Sequence, residues 1–452
     1  MIDLIKKKKF LIIILLIFFL IFSGLWNIIS GGYDKQNKVI LFLKDIIPSK
    51  ISRKIRDTVF IIPDLKERNK FLSNVVEKYD QGLNGELFNK KIILTEKNKK
   101  KYSLSEFFLP FQRFDGRLGW AGEKNSRKAH HLSIVGENVI VISGNGETIY
   151  FKKNNILKNK LNQKKIKNNI KNILRKNKFE LIGIRDLFLD DREIYISLIF
   201  RNSKGFSINV YKANVNFEKL NFELFFETNE YWDVYNVFSG GRFSKYKDNK
   251  ILFSVGFSKI KGAAQDKNSF LGKIISIDKT TRETNIISMG HRNPQGLIYI
   301  KEEDIIINTE HGPKGGDEIN INFQKTNQTP NYGWDISSYG AAYHGTDPYK
   351  KSHEAHGFIE PLRYYVPAIG ISQLIYIPNE ISSDGEKYLY VSSLRATSIY
   401  KIKINEKFNK IIDEDRMYFS QRRIRDIQYD IENNVILIIF ELIPSLGVLK
   451  LN

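Results

Sequence analysis

The chain has 452 residues and a formal net charge of +21, and 42% of its residues are apolar and 27% charged. The length suits one large domain or two ordinary domains, and the apolar content is enough for a substantial core. A disordered tail is therefore excluded. The chain contains no cysteine, which excludes disulfides and leaves stability to the core or to a ligand.

The positive charge lies mainly in lysine-rich stretches such as 97–102 and 152–178. Because these lysines are mixed with asparagine and isoleucine, they indicate a compositional bias, with solvated loops and one polar helix, rather than a binding face. The basic residues are not interleaved with aromatic residues that could stack on nucleobases. No nucleic-acid partner is therefore expected.

An apolar run from 10 to 22 follows four lysines at 6–9. A signal-peptide core needs about 7–15 apolar residues and a membrane-spanning helix needs about 20, so the run suits either. The small residues at 30–32 suit a cleavage site, whereas Trp26 and Tyr33 are typical of an interfacial anchor.

The lysines precede the apolar run, so the positive-inside rule leaves the N-terminus in the cytoplasm. Residues 1–33 are therefore predicted to be a signal anchor in the inner membrane, with the main domain facing the periplasm. If the segment is instead a cleaved signal peptide, the protein is secreted to the periplasm.

The remaining chain divides into two textures. Residues 34–86 contain short apolar pieces broken by Pro48 and Pro63, which predict a helical or irregular spacer. Residues 87–452 contain short runs rich in isoleucine, valine, tyrosine and phenylalanine, each ending at a turn residue, which predict an all-β domain.

A unit of strand, turn and apolar strand recurs irregularly, about every 40–60 residues, which is the pattern of a β-propeller. A large β-sandwich is the alternative that the pattern leaves open. Propellers bind ligands with loops on one face of the central channel, so functional residues are expected in the long loops at 257–269, 308–370 and 392–398.

Six short motifs follow one another in the order "GHRNPQGL" (290–297), "EHGPKGGDEIN" (310–320), "NYGW" (331–334), "YYVPAIGIS" (364–372), "SSLR" (392–395) and "RIRD" (423–426). Together they resemble the soluble sugar dehydrogenases of the glucose/sorbosone dehydrogenase family. This resemblance implies a six-bladed β-propeller that uses pyrroloquinoline quinone (PQQ) and calcium.

The resemblance also assigns cofactor-binding residues. PQQ carries three carboxylates, and guanidinium groups bind carboxylates in a planar, bidentate manner. Arg292, Arg423 and Arg425 occupy the family's positions for that contact, with Asn293 beside them as a polar contact. Arg395 stands where the family commonly has a lysine.

Calcium prefers oxygen ligands, including backbone carbonyls, and the resemblance assigns the cofactor's calcium to the carbonyls of Gly312 and Pro313. Asp317 and Glu318 are candidates for a second, structural calcium, with turn capping and loop hydrogen bonding as the alternative. The histidines of these motifs, His291 and His311, lack the spacing of zinc ligands and are predicted to be hydrogen-bonding loop residues.

Oxidation of a sugar hydroxyl by hydride transfer requires a base for the hydroxyl proton. In the family this base is a histidine four residues before the arginine of a Gly-Arg turn. The corresponding turn here is "NVFSGGRF" (236–243), and the position is Phe238, which cannot accept a proton.

Three explanations of this substitution stay open. Dehydrogenase activity is lost while the cofactor site is kept, or another base acts, with His130, His131 and Asp233 as candidates. The third explanation is that the loop is shifted by one or two positions relative to the family.

The sequence therefore predicts PQQ-dependent oxidation of an aldose sugar or related alcohol in the periplasm. The alternative is a catalytically silent propeller that binds a carbohydrate or a quinone. The implied partners are a small-molecule substrate, an electron acceptor, and the membrane through the N-terminal segment.

Overall fold

The strands of the folded unit are short and mostly buried on both faces, as their isoleucine-, valine- and aromatic-rich sequences favour. In this computed structural model the described residues are 70, 73, 84–111, 129–233, 239–324, 328–344, 346–419, 422–441 and 443–451. The predicted membrane segment, most of the predicted spacer and Phe238 lie outside these ranges. No described helix is long and apolar enough to span a membrane.

Six sheets contain the strands of the described residues. We number these sheets as blades and give the strands of each from the centre outward. Blade 1 contains β3 (His130–Val135), β4 (Asn138–Ser143), β5 (Thr148–Lys152), β6 (Lys164–Asn168) and β10 (Lys219–Leu220). Blade 2 contains β7 (Glu180–Asp190), β8 (Glu193–Asn202), β9 (Gly205–Asn214) and β11 (Glu223–Glu227). Blade 3 contains β12 (Gly240–Tyr246), β13 (Lys250–Val255), β14 (Lys273–Asp278) and β15 (Thr284–Met289).

The other three blades follow the same plan. Blade 4 contains β16 (Pro294–Ile300), β17 (Ile305–Glu310), β18 (Asp317–Asn322) and β19 (Arg363–Tyr365). Blade 5 contains β20 (Ile371–Ile377), β21 (Tyr388–Ser393), β22 (Ser398–Ile404) and β23 (Ile411–Tyr418). Blade 6 contains β24 (Ile424–Asp430), β25 (Val435–Phe440), β26 (Ser445–Lys450), β2 (Lys101–Phe108) and β1 (Leu87–Leu94).

The helical elements of the described ranges are short. They are α1 (Ile170–Lys176) and the 3₁₀ turns Lys153–Leu157, Ala263–Gln265 and Glu354–His356.

The innermost strands of the six blades pack against one another in a closed ring. Strand β24 of blade 6 contacts β3 of blade 1, where the Leu132 amide donates to Asp426 Oδ2 over 3.0 Å. The prediction of a six-bladed β-propeller is thereby confirmed, and the sandwich alternative is wrong. Blade 6 combines strands from both ends of the unit, since β2 pairs with β26, so its hydrogen bonds hold the ring closed.

Among the described residues the hydrophobic core forms six main clusters, each lying between two neighbouring blades. The cluster between blades 2 and 3, for example, packs Tyr195 of β8 against Phe243 of blade 3, which stacks on Phe253. Each blade is therefore stabilised mainly by its two neighbours, and this packing keeps the loops of one face in a fixed arrangement.

The segment 308–370 was expected to be a long loop, and this expectation is wrong in part. It contains the end of β17 and the strands β18 and β19. Strand β18 has the sequence DEININ, and all six of its residues are buried. Its polar residues are typical of a loop. They can be buried because they find partners in the interior, as Asn320 does when it donates to the Glu310 carboxylate over 2.7 Å.

Candidate active site at one face of the ring

The cofactor-binding residues suggested by the sequence lie at one face of the ring. In each blade the start of the inner strand pairs with the end of the second strand, as Pro294 does with Glu310 and Ile371 with Ser393. The residues before the inner strands and the turns after the second strands therefore share this face. It carries the residues assigned to the cofactor and its calcium, namely Arg292, Asn293, Gly312, Pro313, Arg395, Arg423 and Arg425.

Two of the arginines share one carboxylate. Glu441 accepts from Arg425 Nε over 2.5 Å and from Arg423 Nε over 3.0 Å. Arg425 Nη1 also donates to Gln295 Oε1 over 2.9 Å, and Gln295 Nε2 donates to Asn293 Oδ1 over 3.0 Å. These contacts join blade 6 to blade 4 across the ring.

Burial alone would raise the pKa of the Glu441 carboxyl, but the charges of Arg425 and Arg423 lower it to about 2. A carboxyl whose folded pKa lies below its unfolded value stabilises the protein above the unfolded pKa. That stability is lost as the pH falls toward 2. Glu441 was not identified from the sequence, because its two partners are distant along the chain. Arg425 lies 16 residues away in β24, and Arg423 lies 18 residues away just before β24.

We expect Glu441→Gln to flatten the acid dependence of stability. The wild-type protein should lose roughly 3 kcal/mol more than the variant between about pH 4.5 and pH 2, because only the wild type takes up a proton at residue 441. Denaturant unfolding across this pH range measures the difference, with Glu386→Gln, a more exposed acid, as the matched control. Parallel curves for the wild type and Glu441→Gln would contradict the assignment.

Arg292 is buried and held from several sides. Its backbone amide donates to Glu310 Oε2 over 2.7 Å, and its Nη1 donates to the His311 carbonyl over 2.9 Å. The guanidinium lies 5.2 Å from the centre of the Trp334 ring. Asn293 Oδ1 accepts from the Gly240 amide over 3.2 Å, so this arginine turn is joined to the start of blade 3.

A buried polar network lies beneath this turn. His291 Nδ1 contacts Glu310 Oε1 at 3.0 Å, and His291 Nε2 contacts Ser288 Oγ at 2.8 Å. Burial would raise the pKa of Glu310, but His291 and backbone amides lower it overall. His291 is thus a hydrogen-bonding residue, as the sequence suggests, and its partner Glu310 was not singled out.

Asp317 and Glu318 bind different partners. Asp317 accepts from the backbone amides of Gly312 over 3.1 Å, Gly370 over 2.6 Å and Ile371 over 3.0 Å. Glu318 Oε1 contacts His353 Nε2 at 3.2 Å. These contacts match the alternative of turn capping and loop hydrogen bonding. Asp317 connects the Gly312 turn to the turn that precedes β20.

The turn after β17 is crowded. A Cβ added to Gly312 would lie 2.1 Å from the Gly316 carbonyl oxygen, so only glycine fits there. The Pro313 carbonyl accepts from Tyr343 Oη over 3.1 Å. In the neighbouring blade Arg395 Nη1 donates to the Ala368 carbonyl over 3.2 Å, and no described carboxylate forms an ion pair with it.

The profile of one family, Glucose / Sorbosone dehydrogenase, matches residues 141–441. The chain belongs to the glucose/sorbosone dehydrogenase family. An uncharacterized protein of Synechocystis is 28% identical over 278 residues, which cover 56% of this chain and 66% of that protein. The aldose sugar dehydrogenase YliI of Escherichia coli is 25% identical, with 42% of this chain and 53% of that protein covered.

The quinoprotein glucose dehydrogenase B of Acinetobacter calcoaceticus is 24% identical, with 39% of this chain and 49% of that protein covered. The chain therefore matches about half to two thirds of the length of these curated relatives. A crystal structure of a glucose dehydrogenase superimposes with a TM-score of 0.60 at 18% identity, covering 72% of this chain and 97% of that one. This likeness shows the propeller fold.

Of the candidate bases in this family member, the two histidines are buried and Asp233 is exposed. Burial lowers the pKa of His130 to about 4, and its Nδ1 has no hydrogen-bond partner among the described residues. Burial likewise lowers the pKa of His131 to about 3. Its Nδ1 lies 2.8 Å from Arg242 Nη1, and since a guanidinium only donates, this nitrogen accepts.

Arg242 is the centre of a buried ion network that sequence analysis missed. Its Nη1 lies 2.9 Å from Asp186 Oδ1 and its Nη2 lies 2.6 Å from Asp426 Oδ1. With His131 these residues come from blades 1, 2, 3 and 6. Burial raises the pKa of Asp186 to about 6 despite the arginine. His131, Asp186 and Asp426 are the group of described side chains close enough to one another to hold a metal ion. Here they surround the Arg242 guanidinium instead.

Proposed function

We propose that this protein is a PQQ-dependent dehydrogenase that oxidises an aldose sugar or a related alcohol by hydride transfer, on the periplasmic side of the inner membrane. The observation that carries the proposal is the gathering of Arg395, Arg423 and Arg425 at one face of the ring, where Glu441 is the one described carboxylate that pairs with them. The curated relatives named as an aldose sugar dehydrogenase and a quinoprotein glucose dehydrogenase support it.

The residues present fit PQQ. Three guanidinium groups against one carboxylate leave an excess of positive charge, which suits a ligand with several carboxylates. The amides of Gln295 and Asn293 add neutral polar groups between Arg425 and Arg292. When bound, PQQ would supply the two-electron acceptor for the hydride.

Calcium fits the donor chemistry of the turn after β17. The carbonyls of Gly312 and Pro313 are the kind of neutral oxygen ligand that calcium accepts. Asp317 holds this turn through the Gly312 amide, so its role is to position the carbonyls. Asp317 and Glu318 stay candidates for a second, structural calcium, and their hydrogen bonds favour the loop-bonding alternative.

The remaining requirement is a base for the hydroxyl proton. Phe238 supplies none, and the buried histidines have pKa values of about 4 and about 3. A base with so low a pKa accepts a proton poorly at neutral pH. We therefore expect slow turnover. The substitution also favours a second candidate function, a silent propeller that binds a carbohydrate or quinone without oxidising it.

The full chain in detergent, supplied with PQQ and calcium, tests the proposal by dye-coupled oxidation across a panel of aldoses. We expect dye reduction that depends on PQQ, on calcium and on at least one aldose. PQQ binding without oxidation, both in the wild type and after Phe238→His, would establish the silent alternative. Absence of PQQ binding would refute the dehydrogenase and would leave, of the alternative, only carbohydrate binding.

A further inference from the structure

A strip of positive charge covers the outer edge of blade 1. Residues 148–179 contain no aspartate or glutamate. The strip consists of the exposed basic residues of this segment, which are Lys152, Lys158, Lys160, Lys164, Lys165, Lys167, Lys171, Arg175, Lys176 and Lys178. They lie on and around the 3₁₀ turn Lys153–Leu157, β6 and α1.

Little of this charge is compensated. Lys160 pairs with Glu86 at 2.6 Å, and no other residue of the strip forms an ion pair with a described carboxylate. The adjacent strand β10 brings Lys219 opposite Lys167. The sequence indicated a compositional bias without a binding face, but the fold collects these lysines on one edge, where they outnumber the neighbouring acids Glu86 and Glu218.

The chain enters the propeller against this strip. The Leu87 amide donates to the Asn159 carbonyl over 2.8 Å, and the Leu161 amide donates to the Gly85 carbonyl over 2.8 Å. The predicted membrane segment at 1–33 and most of the predicted spacer at 34–86 precede this point in the chain. The strip therefore lies beside the point where the chain enters the propeller from the predicted spacer.

We propose that the strip binds the anionic phospholipid headgroups of the membrane that holds the N-terminal segment. Each lysine near an anionic lipid surface strengthens binding about fivefold. Exposed charges act over about 8 Å at physiological ionic strength, so the contact should weaken as salt is added. This inference rests on the predicted membrane segment and is independent of the proposed enzymatic function.

Lysine labelling of the full chain tests the proposal without removing the N-terminal segment. The protein is reconstituted into vesicles of phosphatidylcholine alone, or of equal parts phosphatidylcholine and phosphatidylglycerol, and acetylated with an N-hydroxysuccinimide ester before mass spectrometry. We expect Lys164 and Lys171 to react several-fold more slowly in the anionic vesicles, and high salt to restore the rate. The exposed residues Lys301, Lys407 and Lys410 of blades 4 and 5 should react equally in both.

A triple variant, Lys164→Gln with Lys165→Gln and Lys171→Gln, should weaken the contact about 100-fold at about fivefold for each lysine. Lys176 and Lys178 should then lose their protection in anionic vesicles. The matched control, Lys301→Gln with Lys407→Gln and Lys410→Gln, should keep it.

Two results would overturn the proposal. One is equal labelling of the strip in the two kinds of vesicle. The other is protection that appears only when soluble polyphosphate is added to phosphatidylcholine vesicles, since this would identify an anionic polymer as the partner.

Discussion

Replacing Arg242 with methionine is expected to lower the free energy of unfolding by about 3–5 kcal/mol, because breaking a buried ion network leaves uncompensated charges in the interior. Asp186 and Asp426 each lose an ion-pair partner, at 2.9 Å and 2.6 Å. His131 loses the donor to its Nδ1. The three residues belong to blades 1, 2 and 6, so the loss also weakens the contact between blades around the channel. Denaturant unfolding of the wild type and the variant measures the effect.

Arg363→Met is the matched control. Arg363 forms one ion pair with Glu414 and its side chain is 44% exposed, so its removal should cost at most about 1 kcal/mol. The triple variant Arg242→Met with Asp186→Asn and Asp426→Asn removes the buried charges together and should recover much of the loss. If Arg242→Met were no more destabilising than Arg363→Met, the network would not contribute to stability as we describe.

Phe238→His is expected to raise the rate of sugar oxidation about 10²–10⁴-fold, which is the usual contribution of a positioned general base. The Gly240 amide, two residues later, donates to Asn293 Oδ1 next to Arg292. The start of blade 3 is thus joined to the proposed cofactor face. The wild-type rate should rise with pH without a plateau near neutrality, because Phe238 leaves the hydroxyl proton to hydroxide. If His130 or His131 acted as the base, the rate would instead be constant above its low pKa. The variant should reach a plateau above the pKa of the new histidine, about 6.5 when unperturbed.

Phe238→Asn controls for the loss of the aromatic ring, since asparagine is polar but is not a base at neutral pH. His130→Asn tests the other candidate base, whose Nδ1 has no described hydrogen-bond partner. Equal rates for Phe238→His and Phe238→Asn would show that residue 238 is not the position of the base. A wild-type rate abolished by His130→Asn would assign that role to His130.

The sequence predicted the propeller fold and which candidate residues lie at one face of the ring, because both depend on local patterns. Short apolar strands between turns predicted the propeller, and six motifs placed at strand starts and turns predicted which residues share a face. Strand β18 was missed because DEININ has the composition of a loop. Its Asn320 and Glu318 are tolerated in the interior only through partners in other segments, such as Glu310 and His353.

The ion network of Arg242 could not be predicted in the same way. Its partners lie 56, 111 and 184 residues away, and only closure of the ring brings them together. Glu441 shows the same difficulty, because nothing around it in sequence marks it as the shared partner of Arg423 and Arg425. The basic strip was visible as composition, but its position beside residues 84–87 emerges from backbone pairing.

The most direct test of the cofactor site is an equilibrium titration of the calcium-loaded full chain with PQQ, for the wild type, Arg395→Met and the control Arg363→Met. Arg395 pairs with no described carboxylate, so its replacement should leave the fold intact. We expect saturable binding to the wild type and to the control, with affinity about 10–100-fold lower for Arg395→Met because a hydrogen bond between charged groups is lost. Failure of the wild type to bind PQQ, or equal affinity for all three proteins, would contradict the assignment of this face as the cofactor site.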